Sequence, residues 1–146
     1  MSDAAAGTRR APPSAVILGG CGLILIGIGL YFVWGRPALL PEDVRYIGVT
    51  SAELQSVEPG LRRWLYRVFW VLGGYIMATG ILTLYLATTA FRTRARGARV
   101  VAALAGAASI GSMAVVNVLI DSAFKTPLVA VAALWALAVV LHWRGR

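Results

Sequence analysis

The chain has 146 residues, of which 59% are apolar and only 14% are charged, and its mean hydropathy is +0.76. Soluble domains contain about 45–50% apolar and about 25% charged residues, so this composition excludes an ordinary soluble protein and favours an integral membrane protein. A net charge of +8 would indicate nucleic acid binding in a soluble domain. Here the basic residues flank apolar runs, which is typical of membrane topology and of contact with lipid headgroups. We expect no nucleic acid partner.

Four apolar runs without charged residues are long enough to cross a hydrocarbon core of about 30 Å. They cover residues 14–34, 68–91, 100–120 and 127–143. The first run is too long for the core of a signal peptide, and we predict a retained membrane helix. The fold class is therefore predicted as all-α: an integral membrane four-helix bundle, formed by a single domain over 14–146. Residues 1–13 are predicted to be a disordered basic tail, and 35–67 an outer loop.

Positively charged residues predict the orientation in the membrane, because short basic loops stay on the cytoplasmic side. The densest cluster lies between the second and third runs, where it comprises Arg92, Arg94, Arg96 and Arg99. Both chain termini then fall on the same side as this cluster. We predict a multi-pass protein of the bacterial cytoplasmic (inner) membrane, with the amino and carboxyl termini in the cytoplasm.

Small residues at helical spacing predict which helix faces pack, because helices in a bilayer associate by close backbone approach. Glycines recur seven residues apart in the first run, and small residues recur at intervals of four and three in the second and third. The glycine face of the first run serves either internal packing or a homodimer, and the sequence leaves both open. The positions predicted to pack are Gly20, Gly27, Gly74, Ala78, Ala103, Ala107 and Ala114.

Charged and polar residues occur at the ends of the second and third runs. Arg67 precedes the second run, whereas Asn117 and Asp121 close the third, on the same predicted side of the membrane. Ionisable residues near the hydrocarbon are costly and usually find a partner inside the bundle. We predict an ion pair between Arg67 and Asp121, with Asn117 as a third member. The alternative is that each charge reaches the headgroups alone.

The loop 35–67 holds four of the six acidic residues in the chain. Thr50 and Glu53 have the spacing of a capping box, which predicts a short extramembrane helix over 51–57. This helix is expected to stop by Glu58, because Pro59 disfavours helical geometry in the residue before it. Neighbouring arginines are expected to keep the acids ionised, so the loop is predicted to be a salt-bridged cover and not a catalytic site.

Patterns that support common membrane chemistry are missing from the sequence. The chain has a single cysteine, Cys21, and a single histidine, His142, so neither paired-thiol redox chemistry nor bis-histidine haem binding is expected. No zinc spacing, phosphate loop or nucleophile motif occurs. We therefore predict no catalytic, cofactor or metal site, and we expect the protein not to be an enzyme.

Two sequence features around the last three apolar runs are similar to those of known membrane proteins. Arg67 precedes the pair Gly73 and Gly74 in the second run, and Asp121 precedes Pro127 at the turn between the last two runs. In these features residues 61–143 resemble small bacterial four-helix membrane proteins of unknown function, some described as DoxX-like. The resemblance implies a four-helix membrane fold.

The sequence leads us to expect one of two functions, and in both the protein is in contact with the lipid bilayer. The first is a non-enzymatic accessory or structural subunit that acts through helix packing and its outer loop, with a membrane protein or a second copy as partner. The alternative is a small oligomeric transporter or channel with a polar outer mouth at Arg67, Asn117 and Asp121. A third possibility, an enzyme acting on lipid or quinone, has no catalytic residues in its favour.

Overall fold

The computed structural model describes residues 11–145, and regular structure over this range is entirely helical. Four helices are long and apolar enough to cross a membrane, in agreement with the predicted fold class. Residues 1–10 of the predicted disordered tail lie outside the described range. The first helix begins at Pro13. In chain order the helices are α1 (Pro13–Gly35), α2 (Pro41–Ile47), α3 (Ser51–Leu86 with a π-helical turn at Ala87–Phe91), α4 (Ala98–Leu119) and α5 (Lys125–Arg144).

Glycines bring the backbones of α1 and α3 into direct contact. A Cβ atom added at Gly22 would lie 2.9 Å from the carbonyl oxygen of Gly80, and one added at Gly80 would lie 2.7 Å from that of Gly22. Gly29 and Gly73 oppose each other in the same way, at 2.7 Å in both directions. The two helices are thus antiparallel and touch at two points, two turns apart, where any side chain would force them apart.

The glycines that form this contact are not the predicted ones. A Cβ atom at Gly20, Gly27 or Gly74 would meet nothing within 4 Å, and Ala78 is exposed. The seven-residue spacing occurs twice in α1, in two sets offset by two residues. Spacing alone does not distinguish the two sets, so the predicted packing face of α1 is wrong. In α3 the predicted face is displaced by one residue, because Gly73 and not Gly74 makes the contact.

A π-helical turn explains a similar shift in α4. The prediction placed Ala103, Ala107 and Ala114 on one packing face, but Ala103 and Ala107 are exposed and only Ala114 is buried. The π-helical turn at Ala107–Gly111 adds one residue to the helix, which moves the face by one position. The prediction therefore holds after the turn and fails before it. The buried residues of α4 are Ala98, Ala102, Gly106, Ile110 and Ala114.

A buried tryptophan fixes α5 against α4. The indole Nε1 of Trp135 donates a hydrogen bond to the carbonyl oxygen of Ala102 at 2.8 Å, and only 3% of Trp135 is exposed. Gly106 makes room for the ring, because a Cβ atom there would overlap it. Further along α5, His142 stacks on Phe91 at the end of α3, with ring centres 3.9 Å apart. Both rings are buried, so they close that end of the bundle.

The bundle is open between α3 and α4. α1 packs on α3 and α5, and α5 packs on α4, whereas α3 and α4 meet mainly near the turn that joins them. Away from that turn a cavity of about 400 Å³ separates them. Polar side chains facing this α3–α4 gap are Tyr75, Thr79, Ser109, Ser112 and Asn117.

α3 continues through Pro59, so the prediction of a separate helix over 51–57 is wrong. The amide of Thr50 donates to Glu53 at 2.8 Å and the amide of Glu53 to the Thr50 hydroxyl at 3.3 Å, which is the reciprocal capping box. Proline leaves the carbonyl of Gln55 without its helical donor, but both residues are exposed and water can hydrate that carbonyl. The 40 residues from Ala52 to Phe91 extend about 60 Å, twice the thickness of a hydrocarbon core.

Gly29→Ala is expected to lower the thermal stability of the bundle, whereas Gly27→Ala is expected to leave it unchanged or raise it. The new methyl group at Gly29 would press on the Gly73 carbonyl, and such overpacking costs about 1–3 kcal/mol. At Gly27 the methyl meets nothing, and alanine is favoured over glycine in a helix by about 0.5–1 kcal/mol. Thermal unfolding of both purified variants, followed by circular dichroism, measures the difference. Equal stabilities would contradict the assigned contact.

Candidate functional site at the α2 end

The segment between α1 and α3 folds back over one end of the bundle, which we call the α2 end. Pro41 takes the first position of α2, where its missing N–H costs nothing. The amide of Leu40 donates to the carboxylate of Asp43 at 3.0 Å. Gly48 ends the helix with a φ of +73°, a left-handed conformation that glycine adopts without strain. Local signals in the sequence thus fix both ends of α2.

Arg36 ties α2 to the two helices that pack through glycines. Its Nη2 lies 3.1 Å from Oδ2 of Asp43, and its Cζ lies 3.8 Å from the centre of the Phe69 ring and 5.4 Å from that of Phe32. The side chains of Arg36 and Asp43 are only 11% and 19% exposed. A partly desolvated cation over an aromatic face contributes about 0.5–2 kcal/mol, so this contact anchors α2.

A second link joins α2 to the turn between α4 and α5. The hydroxyl of Ser122, a buried residue, donates to Oε1 of Glu42 at 3.2 Å and accepts from the amide of Phe124 at 3.1 Å. Hydrogen bonds from its own backbone amide, and then from Ser122, hold the pKa of Glu42 below its usual range. Glu42 is therefore a charged acceptor at neutral pH.

Asp121 forms a third link at the same turn. Its φ of +52° places it in the left-handed region, which aspartate tolerates better than most residues. Its carboxylate pairs with Lys125 and lies 3.7 Å from Nη2 of Arg45, which also donates to the Asp121 carbonyl at 3.1 Å. The hydrogen bond from Lys125 and the charges of Lys125 and Arg45 lower the pKa of Asp121. The turn is thus bound to α2 by charge as well as by hydrogen bonds.

The predicted ion pair between Arg67 and Asp121 is wrong. Asp121 is paired with Lys125 and Arg45, while Arg67 is exposed and lies over the Trp70 ring, 5.7 Å from its centre. The physical reason is the gap between α3 and α4, which separates the two helix ends that were expected to meet.

Asn117 does not join either charge. Its amide donates to the carbonyl of Met113 at 2.9 Å, one turn back along α4. The remaining face of the side chain borders the cavities on both sides of α4. Of the three residues predicted as a polar mouth, Asn117 alone lines these two cavities.

Sequence reasoning missed Arg36 as the partner of Asp43, and it placed Arg45 beside the acids of the loop without finding its contact with Asp121. Arg36 lies seven residues before Asp43 in the sequence, with Pro37 and Pro41 between them. These two prolines indicate that the chain turns there, which could have predicted the contact. No local signal marks Arg45, because its partner Asp121 is 76 residues away. That pairing depends on how the helices pack.

An apolar groove of about 290 Å³ lies between α2 and α3, and we call it the α2 groove. Its rim includes Tyr46 and Ile47, which are 66% and 56% exposed. Its other wall belongs to α3. The apolar residues that line it are Ala38, Leu39, Tyr46, Ile47, Leu65, Phe69 and Ile120.

The acids at the α2 end that contact the turn between α4 and α5 are fixed as charged acceptors. Glu42 and Asp121 are held in the ionised form, which makes them poor proton donors at neutral pH. Within residues 11–145, no three His, Cys, Asp or Glu side chains gather as metal ligands do. The arrangement offers charged acceptors, one shielded guanidinium and an apolar groove.

Comparisons with models of known protein families, with curated proteins and with solved structures gave no match. The geometry of the α2 end therefore carries the functional argument.

Acid is expected to loosen α2 from the turn between α4 and α5. A carboxylate whose pKa is lowered by folding stabilises the protein above its unfolded pKa of about 4, and that stabilisation is lost as the pH falls through the folded value. Glu42 and Asp121 both have lowered pKa values, so stability should hold from pH 7 to about 5 and fall below about 4. Thermal unfolding at pH 7, 5 and 3 measures the profile.

The matched control is the double variant Glu42→Gln with Asp121→Asn, which keeps the shapes of both side chains. Its stability should depend less on pH between 5 and 3, because the two groups that lose charge in the wild type are already neutral. Identical profiles for the two proteins would contradict this role of the links.

Proposed function

We propose that the protein is a non-catalytic accessory subunit of the bacterial cytoplasmic membrane, which binds another membrane protein at the α2 groove. The observation that carries this proposal is the exposure of Tyr46 and Ile47 outside the four helices of membrane-spanning length. α2 has seven residues, far fewer than the roughly 20 that a membrane helix needs.

Lipid tails cover apolar side chains along the spanning parts of the four long helices, whereas α2 follows the end of α1 and packs beside Leu65 and Phe69 of α3. An apolar patch bordered by charged residues outside the hydrocarbon marks a site of protein contact. In α2, the charged residues Glu42, Asp43 and Arg45 hold the helix to the bundle while Tyr46 and Ile47 face outwards. The side chains that fix α2 are thus separate from those left for a partner.

The length of α3 supports the same role. About 20 of its residues suffice for a crossing, so the part from 52 to about 67 extends beyond the hydrocarbon on the side of the groove. There Trp64, 61% exposed, stands beside groove residue Leu65. Aromatic residues of this kind are enriched in the centres of protein interfaces.

A small oligomeric transporter or channel is the second candidate. Asn117 supports it, because this residue lines both larger cavities. Arg67 and Asp121 border neither of these cavities, so the polar mouth that the sequence predicted loses two of its three members. The resemblance to DoxX-like proteins favours neither function and stays a prediction.

Ile47→Asp is expected to abolish partner binding, and Val57→Asp to preserve it. The two residues are equally exposed, at 56% and 57%, but only Ile47 lines the α2 groove. A charge placed in an apolar interface costs several kcal/mol, which reduces the copurified partner by about tenfold or more. The measurement is gentle detergent extraction of each tagged variant from its native membrane, followed by mass spectrometry of the copurified proteins.

Both variants should elute from a sizing column like the wild type, since neither residue is buried. Recovery of the same membrane protein with Ile47→Asp as with the wild type would contradict the proposed interface at the α2 groove. Loss of that protein with both variants would show that the effect is not specific to the α2 groove, which would also contradict the assigned interface.

The proposed orientation predicts which loops a membrane-impermeant maleimide reaches in intact cells. In a Cys21→Ser background, Tyr46→Cys should be labelled, whereas Arg96→Cys should be labelled only after the cells are opened. The basis is the cluster of arginines around Arg96, which is retained in the cytoplasm. The reverse pattern of labelling would overturn the orientation.

A further inference from the structure

A cavity of about 480 Å³ lies between α1 and α4, under α2, and we call it the α1–α4 cavity. Its volume falls in the range of about 300–1,000 Å³ that is typical of sites for small molecules. It shares Arg36, Asp43 and Ile120 with the α2 groove, but none of the side chains that pair with Asp121 borders it. The apolar residues that form most of its wall include Ile24, Ile28, Met113, Val116, Ile120 and Leu128.

Apart from Asn117, the cavity is apolar along its length, and its charged residues lie at one end. Arg36, Glu42, Asp43 and Ser122 border it at the α2 end. Along α1 it extends from Ile24 to Arg36, twelve residues or about 18 Å of helix. One leaflet of a bilayer has about 15 Å of hydrocarbon, so the cavity matches a single lipid chain from one leaflet in length.

The charge at the polar end selects the head of that lipid. Arg36 is already paired with Asp43 and lies over the ring of Phe69, so it has little left for an anion. Glu42 adds a second carboxylate, which leaves one positive and two negative residues on the wall. A carboxylate offers about four acceptor positions, and on Glu42 three of them face the amide of Glu42 itself, the hydroxyl of Ser122 and the amide of Ala123, which leaves one. Such an end repels an anionic head and accepts hydrogen bonds from hydroxyl groups.

We propose that the α1–α4 cavity binds a neutral lipid with one acyl chain and a hydroxyl-bearing head, of the monoacylglycerol class. The chain lies along α1 between Ile24 and Phe32, and the hydroxyl groups donate to the carboxylates of Glu42 and Asp43. α2 covers the head, since its first turn supplies both acids. The wall that would hold the acyl chain is not part of the α2 groove apart from Ile120, and this ligand site goes beyond the proposed partner binding.

Gly27 gives the sharpest test, because it borders the cavity and a Cβ atom there would meet nothing within 4 Å. Gly27→Leu therefore adds an apolar side chain at the wall that would hold the acyl chain, from a position where the Cβ atom itself meets no neighbour. The matched control is Gly20→Leu, on the same helix and with equally open surroundings, but away from the cavity.

A second matched pair probes the opposite wall and covers the case in which Gly27→Leu does not fold. Val116 and Val115 are neighbours in α4, 52% and 59% exposed, and only Val116 lines the cavity. Val116→Phe should therefore block binding, and Val115→Phe should not.

The experiment uses the full chain in phosphatidylcholine nanodiscs, with a long-chain monoacylglycerol or the fatty acid of the same chain added. Native mass spectrometry counts the lipid that stays bound. The wild type, Gly20→Leu and Val115→Phe should each retain one monoacylglycerol. The affinity of Gly27→Leu and Val116→Phe for this lipid should be lower by at least about tenfold. Glu42→Gln should weaken binding by about tenfold as well, because a hydrogen bond to a charged acceptor is lost.

Three results would overturn the proposal. Equal binding by the cavity variants and their controls would place the lipid outside the cavity. Tighter binding of the fatty acid than of the monoacylglycerol would show that the polar end prefers an anion. Retention of phosphatidylcholine alone, with no added lipid bound, would show that the site takes a bulk two-chain lipid. None of these results depends on whether Ile47→Asp releases a partner protein.

Discussion

The direct contact of two backbones at Gly22 with Gly80 and at Gly29 with Gly73 is the constraint on which the other features of the bundle depend. Two contact points fix the rotation of α1 about its own axis as well as its distance from α3. That rotation brings Phe32 of α1 edge-on to Phe69 of α3, with ring centres 5.9 Å apart. The guanidinium of Arg36 lies against this aromatic pair. The position of α2 thus follows from glycines two or more turns deeper in the bundle.

The same rotation determines what faces away from α3. Gly20 and Gly27 lie on the side of α1 where nothing approaches, and at Gly27 this open side becomes a wall of the α1–α4 cavity. One set of glycines therefore makes a close contact and the other leaves space. Two roles that look identical in the sequence are separated by an offset of two residues, a rotation of about half a turn.

The sequence was informative wherever structure depends on neighbouring residues. Run lengths predicted the four long helices, and the spacing of Thr50 and Glu53 predicted a capping box whose hydrogen bonds are present. Prediction from the sequence failed where the result depends on how one helix packs against another. The glycine register, the shift caused by the π-helical turn at Ala107–Gly111 and the partner of Asp121 all depend on packing. Pro59 misled for a different reason, since hydration of an exposed carbonyl lets a helix continue through a proline.

The continuity of α3 has a structural consequence. One helix carries Leu65 and Phe69, which flank the α2 groove, and Phe91, which stacks on His142 at the far end of the bundle. Between Phe69 and Leu86 this helix contains no proline and continues without a break, up to the π-helical turn at Ala87–Phe91. The α2 groove and the ring stack that closes the far end of the bundle thus share one helix, which the glycine contacts hold against α1.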